Sequence, residues 1–371
     1  MARVRLTNWC FSPLDILLVA VPFAIALRYV PGWENGTLLF VAAGLAIVPL
    51  AGWMGRATEQ LAARAGAGVG GFLNATFGNA AELIIALLAL SKGLTHVVKA
   101  SVTGSIIGNL LLVLGASIFA GGLRYPRQTF NQTGARVSAT SLGLAAIALL
   151  IPTVFHRAAA SRPGGWSIEA EQRLSLAIVI VLFLTYFVSL FFHLVTHRDL
   201  FSGTPDSNAT EEAHWPLWQS VTALLVATAL VALLSEFLVS SIEAARHTLG
   251  LTQTFVGVIV IALVGNAAEH STAVWAAWKN KMDLSLGIAS GSSLQMALFV
   301  APVLVFSSYA FGAPMTLEFS LPEIVAIVLA VWIVGQISGD GESNWLEGVQ
   351  LLSVYVIIGI LFYFLPALPP G

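Results

Sequence analysis

The sequence predicts an all-α polytopic membrane protein, and two observations carry that expectation. Hydrophobic residues make up 57% of the chain and charged residues only 10%, where a soluble domain carries about 25% charged residues. The apolar residues also fall in long runs near the length of a spanning helix, about 20 residues, and the polar connections between them are too short to hold a second domain.

The first apolar run, 14–30, follows Arg3 and Arg5 and has no small-residue cleavage site after it, so it reads as a retained helix rather than a signal peptide. Further runs cover 37–62, 70–91, 95–121, 134–155 and 174–196, and then 217–245, 253–278, 284–311, 319–338 and 345–366. The expectation is about 11 transmembrane helices. Residues 1–36 hold the N-terminal segment and leading helix, 37–198 a first set of five helices, 199–215 an acidic polar linker, and 216–371 a second set of five. The linker carries Asp199, Asp206, Glu211 and Glu212 and reads as a solvated connection.

Net charge is −2 and the basic residues are scattered, which offers no footprint for nucleic acid and no polybasic patch for lipid headgroups. The lipid bilayer is the expected surrounding. Cys10 is the single cysteine, so the chain has no disulfide framework and no cysteine-based metal cluster. A cytoplasmic N-terminus places ten of the 17 basic residues on the inner side, the direction the positive-inside rule favours.

An internal repeat runs through this pattern. Gly78, Asn79, Ala80, Ala81 and Glu82 recur 187 residues later as Gly265, Asn266, Ala267, Ala268 and Glu269, and the same offset carries Lys92 onto Lys279, Gly104 onto Gly291 and Ser105 onto Ser292. The offset contains five predicted spans, an odd number, so the second copy enters the membrane from the opposite side. One leading helix plus two inverted five-helix repeats is the resulting architecture, and secondary transporters of this kind bind their substrates at the repeat interface near the midplane.

Glu82 and Glu269 each lie about halfway along an apolar run, where an ionised side chain is expensive unless paired or hydrated. Asn79 with Glu82, and Asn266 with Glu269, are three residues apart and share a helix face. Gly78 and Gly265 permit close helix approach or local unwinding. On the next helix of each half, Ser101 and Ser105 share one face, as do Ser292 and Gln295, and these groups complete the shell or hold the carboxylates. A donor set of oxygens, with no cysteine and little histidine, favours a hard cation such as Ca²⁺ or Mn²⁺ over Zn²⁺ or Cu⁺. Glu59 and Glu243 precede the two motifs by similar distances, Glu236 shares a face with Glu243, and His270 follows Glu269; these four are candidates for proton relay or a vestibule.

The segments GRATEQLAARAG, NATFGNAAELIIALLAL, GSIIGNLLLVLGASIFAGG, SEFLVSSIEAA and VGNAAEHSTAVWAAWKNKMDLSLGIASGSSLQ, together with the layout of the whole chain, resemble the Ca²⁺/cation:proton antiporter family of the cation/Ca²⁺ exchanger superfamily. The resemblance implies ion-binding glutamates in the third and eighth helices, the positions of Glu82 and Glu269. It also implies further oxygens from Asn79 and Asn266, with Ser105, Ser292 and Gln295 nearby, and acidic positions at Glu59 and Glu243. The implied activity is exchange of Ca²⁺ for H⁺ with no cofactor, and Mn²⁺, Na⁺ and K⁺ are further candidate ions. The implied place is a bacterial inner membrane, crossed many times. Na⁺/Ca²⁺ exchange is the nearest alternative. An intramembrane hydrolase built on Ser117, in a Gly-x-Ser-x pattern with His270 as base, is a third reading; it lacks an HExxH motif and leaves the acidic repeat without a purpose.

Overall fold

The computed structural model describes residues 12–160, 165, 167–197 and 215–366. Arg3, Arg5, Cys10 and all of the acidic linker but Trp215 fall outside the described residues. A short 3₁₀ segment, Pro13–Val19, leads into α1 (Ala20–Tyr29), and α2 (Gly36–Phe77) and α3 (Ala80–Ser91) follow. Next, α4 (Thr95–Ile107) passes through a π-helical turn, Gly108–Val113, into α5 (Leu114–Arg124). Strand β1 (Gln128–Thr129), α6 (Gln132–Ala160) and α7 (Ile168–Phe191) complete the first half.

The second half begins with α8 (Leu217–Leu249). A short α9 (Gln253–Phe255), a π turn Val256–Ile261 and α10 (Ala262–Gly265) lead to α11 (Ala267–Trp278). Then come α12 (Met282–Gln295), a π turn Met296–Val300, α13 (Ala301–Ala310), α14 (Leu321–Ile337), β2 (Glu342–Ser343) and α15 (Trp345–Phe364).

Among the described residues seven helical stretches are long and apolar enough to span a membrane, and an eighth arises if the pair Gln253–Gly265 and Ala267–Trp278, bent by 61°, is one span. The eleven runs of the sequence are therefore unequal as helices: α3 and α14 are short, and the leading run is part 3₁₀. Helix α7 illustrates how such a stretch divides into an inner and an outer face. Ser175, Val179, Leu182 and Tyr186 form its buried stripe, while Val181, Leu184, Val188 and Phe191 are exposed on its outer face.

One boundary differs from the sequence expectation. The runs 37–62 and 70–91 read as separate helices, yet α2 continues to Phe77 and the chain breaks at Asn79. In the second half Gly250, at φ 67°, ends α8 in the left-handed conformation. The position 187 residues earlier is Ala63, whose side chain disfavours that conformation, so α2 runs on where α8 stops.

Cross-connections sort onto two faces. On the first, the 311–320 loop is held by Lys99, Thr153 and Ser175, and Lys92 bridges to Glu236. On the opposite face the 125–131 connection is held by Ala277, Asn280 and Asp283, and β1 pairs antiparallel with β2. Near the first face α4 crosses the Val256–Ile261 turn at backbone contact: a Cβ on Gly104 would collide with the Val258 backbone, and one on Gly257 would collide with Ala100. Gly291, the repeat equivalent of Gly104, has nothing within 4 Å of a Cβ among the described residues. The two related halves are thus packed differently, tight at one crossing and open at the other.

Candidate cation site

Helices α3 and α11 both begin immediately after an asparagine with non-helical backbone, Asn79 at φ −99°, ψ 21° and Asn266 at φ −91°, ψ 1°. The breaks place Glu82 and Glu269 in the first turns of these helices. There the exposed N–H ends of the helix dipole favour negative charge. Glu82 is buried and Glu269 half-buried, and the two lie within electrostatic reach of each other. Gly265 supplies the close approach: a Cβ there would stand 2.7 Å from Glu82 Cγ and 3.3 Å from its Cδ, so the Glu82 side chain rests directly on the backbone of the second half.

The amides and hydroxyls join across the repeat interface in a single chain. Ser292 Oγ donates to Asn79 Oδ1 at 3.0 Å, and Asn266 Nδ2 donates to Ser105 Oγ at 3.0 Å. The 187-residue offset relates these two pairs, so each repeat's asparagine meets the other repeat's serine. Asn79 also donates to Gln295 Oε1, and Gly78 lies beside that same amide. Asn109 closes the chain, donating from Nδ2 to Asn266 Oδ1 at 3.2 Å and to Ser292 Oγ at 2.9 Å.

Asn109 is the residue that reading the repeat missed. It stands in the π turn after α4, its offset equivalent is Met296, and Gln295, one residue earlier, fills the matching role from the other half. π turns widen a helix and re-aim side chains at functional sites, so strict repeat register fails there. The available signal was a lone amide in the apolar run GSIIGNLLLVL, four residues after Ser105.

The remaining candidates divide. Ser101 turns back to the Val98 carbonyl of its own helix at 2.8 Å. Glu236 pairs with Lys92 at 2.5 Å, and Glu243 with Arg246 and with His247 at 2.9 Å, all toward the surface and outside the hydrogen-bond chain. Glu59 is exposed on α2. His270 is half-buried beside Glu269, and its Nε2 has no hydrogen-bond partner. Ser117 is buried without a partner for its hydroxyl, so no base activates it as a nucleophile would need.

Chemically the site is a nest of oxygens. Among the described residues Glu82 Oε1 and Oε2 and Glu269 Oε2 are buried with no hydrogen-bond partner, although an unsatisfied buried carboxylate oxygen is costly; Ser292 lies within hydrogen-bond reach of the Glu269 carboxylate. The described residues contain no cluster of three or more acidic, histidine or cysteine side chains able to hold a metal. A hard cation seated here would find two carboxylates with amide and hydroxyl oxygens around them, the donor types such ions take.

Comparison with known proteins identifies the family and the fold. Residues 35–195 and 219–364 match the sodium/calcium exchanger protein family. A Ca(2+)/H(+) antiporter of Synechocystis sp. is 48% identical over 368 residues, covering 95% of this chain and 97% of that protein. The Ca(2+)/H(+) antiporter ChaA of Bacillus subtilis is 49% identical over 338 residues, covering 90% and 93%. The solved structure of native YfkE superposes with a TM-score of 0.81 at 43% identity, covering 95% of this chain and all of that one. The H+/Ca2+ exchanger CAX shares the fold at a TM-score of 0.68 and 15% identity. With matched segments that run from before α2 to the end of α15 and take in every residue of the interlocked site, the chain belongs to the sodium/calcium exchanger protein family.

Proposed function

We propose that this protein is a secondary transporter that exchanges Ca²⁺ for H⁺ at one site shared by Glu82 and Glu269. The observation that carries the reading is the pair of neighbouring carboxylates three of whose four oxygens are buried without a hydrogen-bond partner among the described residues, while the amides of Asn79, Asn109 and Asn266 beside them are engaged. The names of the Synechocystis and B. subtilis relatives support it.

Two carboxylates side by side away from water cannot both keep their charge without compensation. Protons or a Ca²⁺ ion each supply that compensation, and they compete for the same oxygens, so the pair titrates as a unit. Exchange follows from this mutual exclusion once the site opens alternately to each side. Asn79, Asn266, Ser105, Ser292 and Gln295 hold the carboxylate-bearing helix ends in register and offer further oxygens to the cation. The tight crossing at Gly104 and its open counterpart at Gly291 are what an inverted repeat needs if the two halves trade packing states between the two openings. A bacterial inner membrane with the N-terminus in the cytoplasm is the proposed setting, and Mn²⁺, Na⁺ or K⁺ are the ions to test as competitors.

The test is uptake of ⁴⁵Ca²⁺ into proteoliposomes under an imposed pH gradient. Uptake driven uphill by the gradient is expected in the unsubstituted protein and lost in Glu82→Gln and Glu269→Gln that remain monodisperse. Normal uptake in either variant overturns the shared site, and flux driven by a Na⁺ gradient with pH clamped would assign Na⁺/Ca²⁺ exchange instead.

A further inference from the structure

We propose that Lys99 is a positioning residue for the cation site: it pins α4 to the opposite repeat and so sets the depth at which Ser105 and Asn109 meet Asn266. The proposal rests on the Ca²⁺/H⁺ reading above only for its transport assay.

Lys99 is the fifth residue of α4 and its side chain is only 13% exposed. A buried ammonium requires partners, and among the described residues those in hydrogen-bond or ion-pair contact come from the 311–320 loop of the second half. It donates to the Glu318 carbonyl, reaches Thr316 Oγ1 at 3.3 Å and lies 3.6 Å from Glu318 Oε2. Glu171 and Glu323 add negative field, both of them buried, while His96 stands on the same end of α4 near Glu318.

The loop that receives Lys99 is itself immobilised by the first half. Thr153 exchanges two hydrogen bonds with the Phe319 backbone at 3.1 Å each, and Ser175 accepts from Leu317 N at 3.0 Å. The anchor is therefore fixed at both ends. A helix is stiff along its axis at about 1.5 Å per residue, which puts Ser105 about 9 Å and Asn109 about 15 Å beyond Lys99 on the same rod. A slip at the anchor becomes a slip at the Asn266 contacts, because the Gly104 crossing guides α4 sideways but offers no polar stop along its length.

The other half lacks this device. Repeat register places Leu286 opposite Lys99 and Asn131 opposite Glu318. There the loop is held instead by Asp283 accepting from the Asn131 backbone at 2.5 Å. A buried charge clamp thus serves α4 alone, the helix whose π turn carries Asn109.

The experiment uses the full-length protein in proteoliposomes and in detergent, comparing Lys99→Met, Lys99→Arg, the exchange Lys99→Glu with Glu318→Lys, and Arg127→Ala. Arg127 belongs to an exposed ion pair with Glu342 on the opposite face and serves as control. Initial rates of ⁴⁵Ca²⁺ uptake against Ca²⁺ concentration give KM and Vmax, and the Ca²⁺ concentration that half-maximally raises the melting temperature gives a second measure of affinity. Loss of a group that orients ligands lowers metal affinity by roughly 10-fold or more. Lys99→Met is expected to raise KM and the thermal midpoint by that factor, with Lys99→Arg and the charge exchange recovering most of it and Arg127→Ala matching the unsubstituted protein. A folded Lys99→Met with both values unchanged, any defect being confined to yield or Vmax, overturns the proposal. If Lys99→Met does not fold, Thr316→Val and Glu318→Gln are read by the same two values, with the same outcomes supporting or refuting. Failure of the unsubstituted protein to take up Ca²⁺ counts against the transport reading, and the thermal midpoints then decide on Lys99 independently.

Discussion

Substituting Gly104 and Gly291 by alanine tests the unequal packing of the two halves. In Gly104→Ala the new Cβ would stand 2.6 Å from both Cα and C of Val258, where carbon atoms in contact normally keep about 3.5–4.0 Å. The opposing group is backbone and cannot rotate away, so α4 and the Val256–Ile261 turn must part by about 1 Å. Overpacking of this kind costs about 1–3 kcal/mol, and the better helix propensity of alanine returns about 1 kcal/mol, leaving a net loss of roughly 1–2 kcal/mol at the upper part of that range. Gly291→Ala meets nothing within 4 Å among the described residues and collects only the propensity gain. Thermal unfolding in detergent is expected to show Gly104→Ala melting below the unsubstituted protein and Gly291→Ala at or above it. In proteoliposomes both should transport slowly, since the opposite opening would close α12 at Gly291 as α4 is now closed at Gly104. Gly104→Ala melting no lower than the unsubstituted protein would refute the tight crossing, and Gly291→Ala exchanging at full rate would refute the reciprocal closure.

Other substitutions separate the site from its scaffold. Asn109→Ala removes the donor to both Asn266 and Ser292; each acceptor left unsatisfied costs about 1–3 kcal/mol, and the concentration of Ca²⁺ at half-maximal uptake should rise about 10-fold, as read by ⁴⁵Ca²⁺ kinetics. Asp15→Ala deletes the acceptor for the Ser12 backbone, the Trp53 indole and Arg56. A stability loss of roughly 1–3 kcal/mol is expected, held down by the partial exposure of Arg56, with KM unchanged; a shifted KM would mean that the middle of α2 communicates with the site. Gly250→Ala forces a left-handed residue with a side chain and should lower stability by roughly 1–2 kcal/mol, measured by the same melting assay, whereas alanine at Gly55, where a Cβ meets nothing within 4 Å, should not.

The two buried glutamates were legible in the sequence for a simple reason. A charged residue in the middle of an apolar run is costly wherever the chain folds, and finding the same cost twice in one register, at Glu82 and Glu269, marks a purpose. Asn79 and Asn266 were singled out by their spacing from the glutamates, although the structure puts them at the break just before each helix rather than on its face. Asn109 was not, because the π turns at Gly108–Val113 and Met296–Val300 shift the facing residue by one position between the halves. Glu236 and Glu243 were nominated for proton relay or a vestibule, and the structure gives them ion pairs instead, Glu236 with Lys92 of a neighbouring helix and Glu243 with Arg246 one turn along its own. The break at Asn79 and the long α2 were likewise hidden, since glycines around 66–71 lower helix propensity without forcing an end.

Residue type, depth along an apolar run and repeat register are properties of one dimension. They were enough to point to a multi-pass membrane protein of the exchanger family, and to nominate an internal repeat and a set of oxygens for a hard cation. Which oxygens actually meet was decided by the tertiary structure. The bond from Ser292 to Asn79 joins residues 213 apart in sequence, and the Lys99 clamp spans a similar distance. Such contacts depend on how closely helix backbones cross and how far a π turn rotates a side chain, and neither quantity is written in the local pattern of either segment.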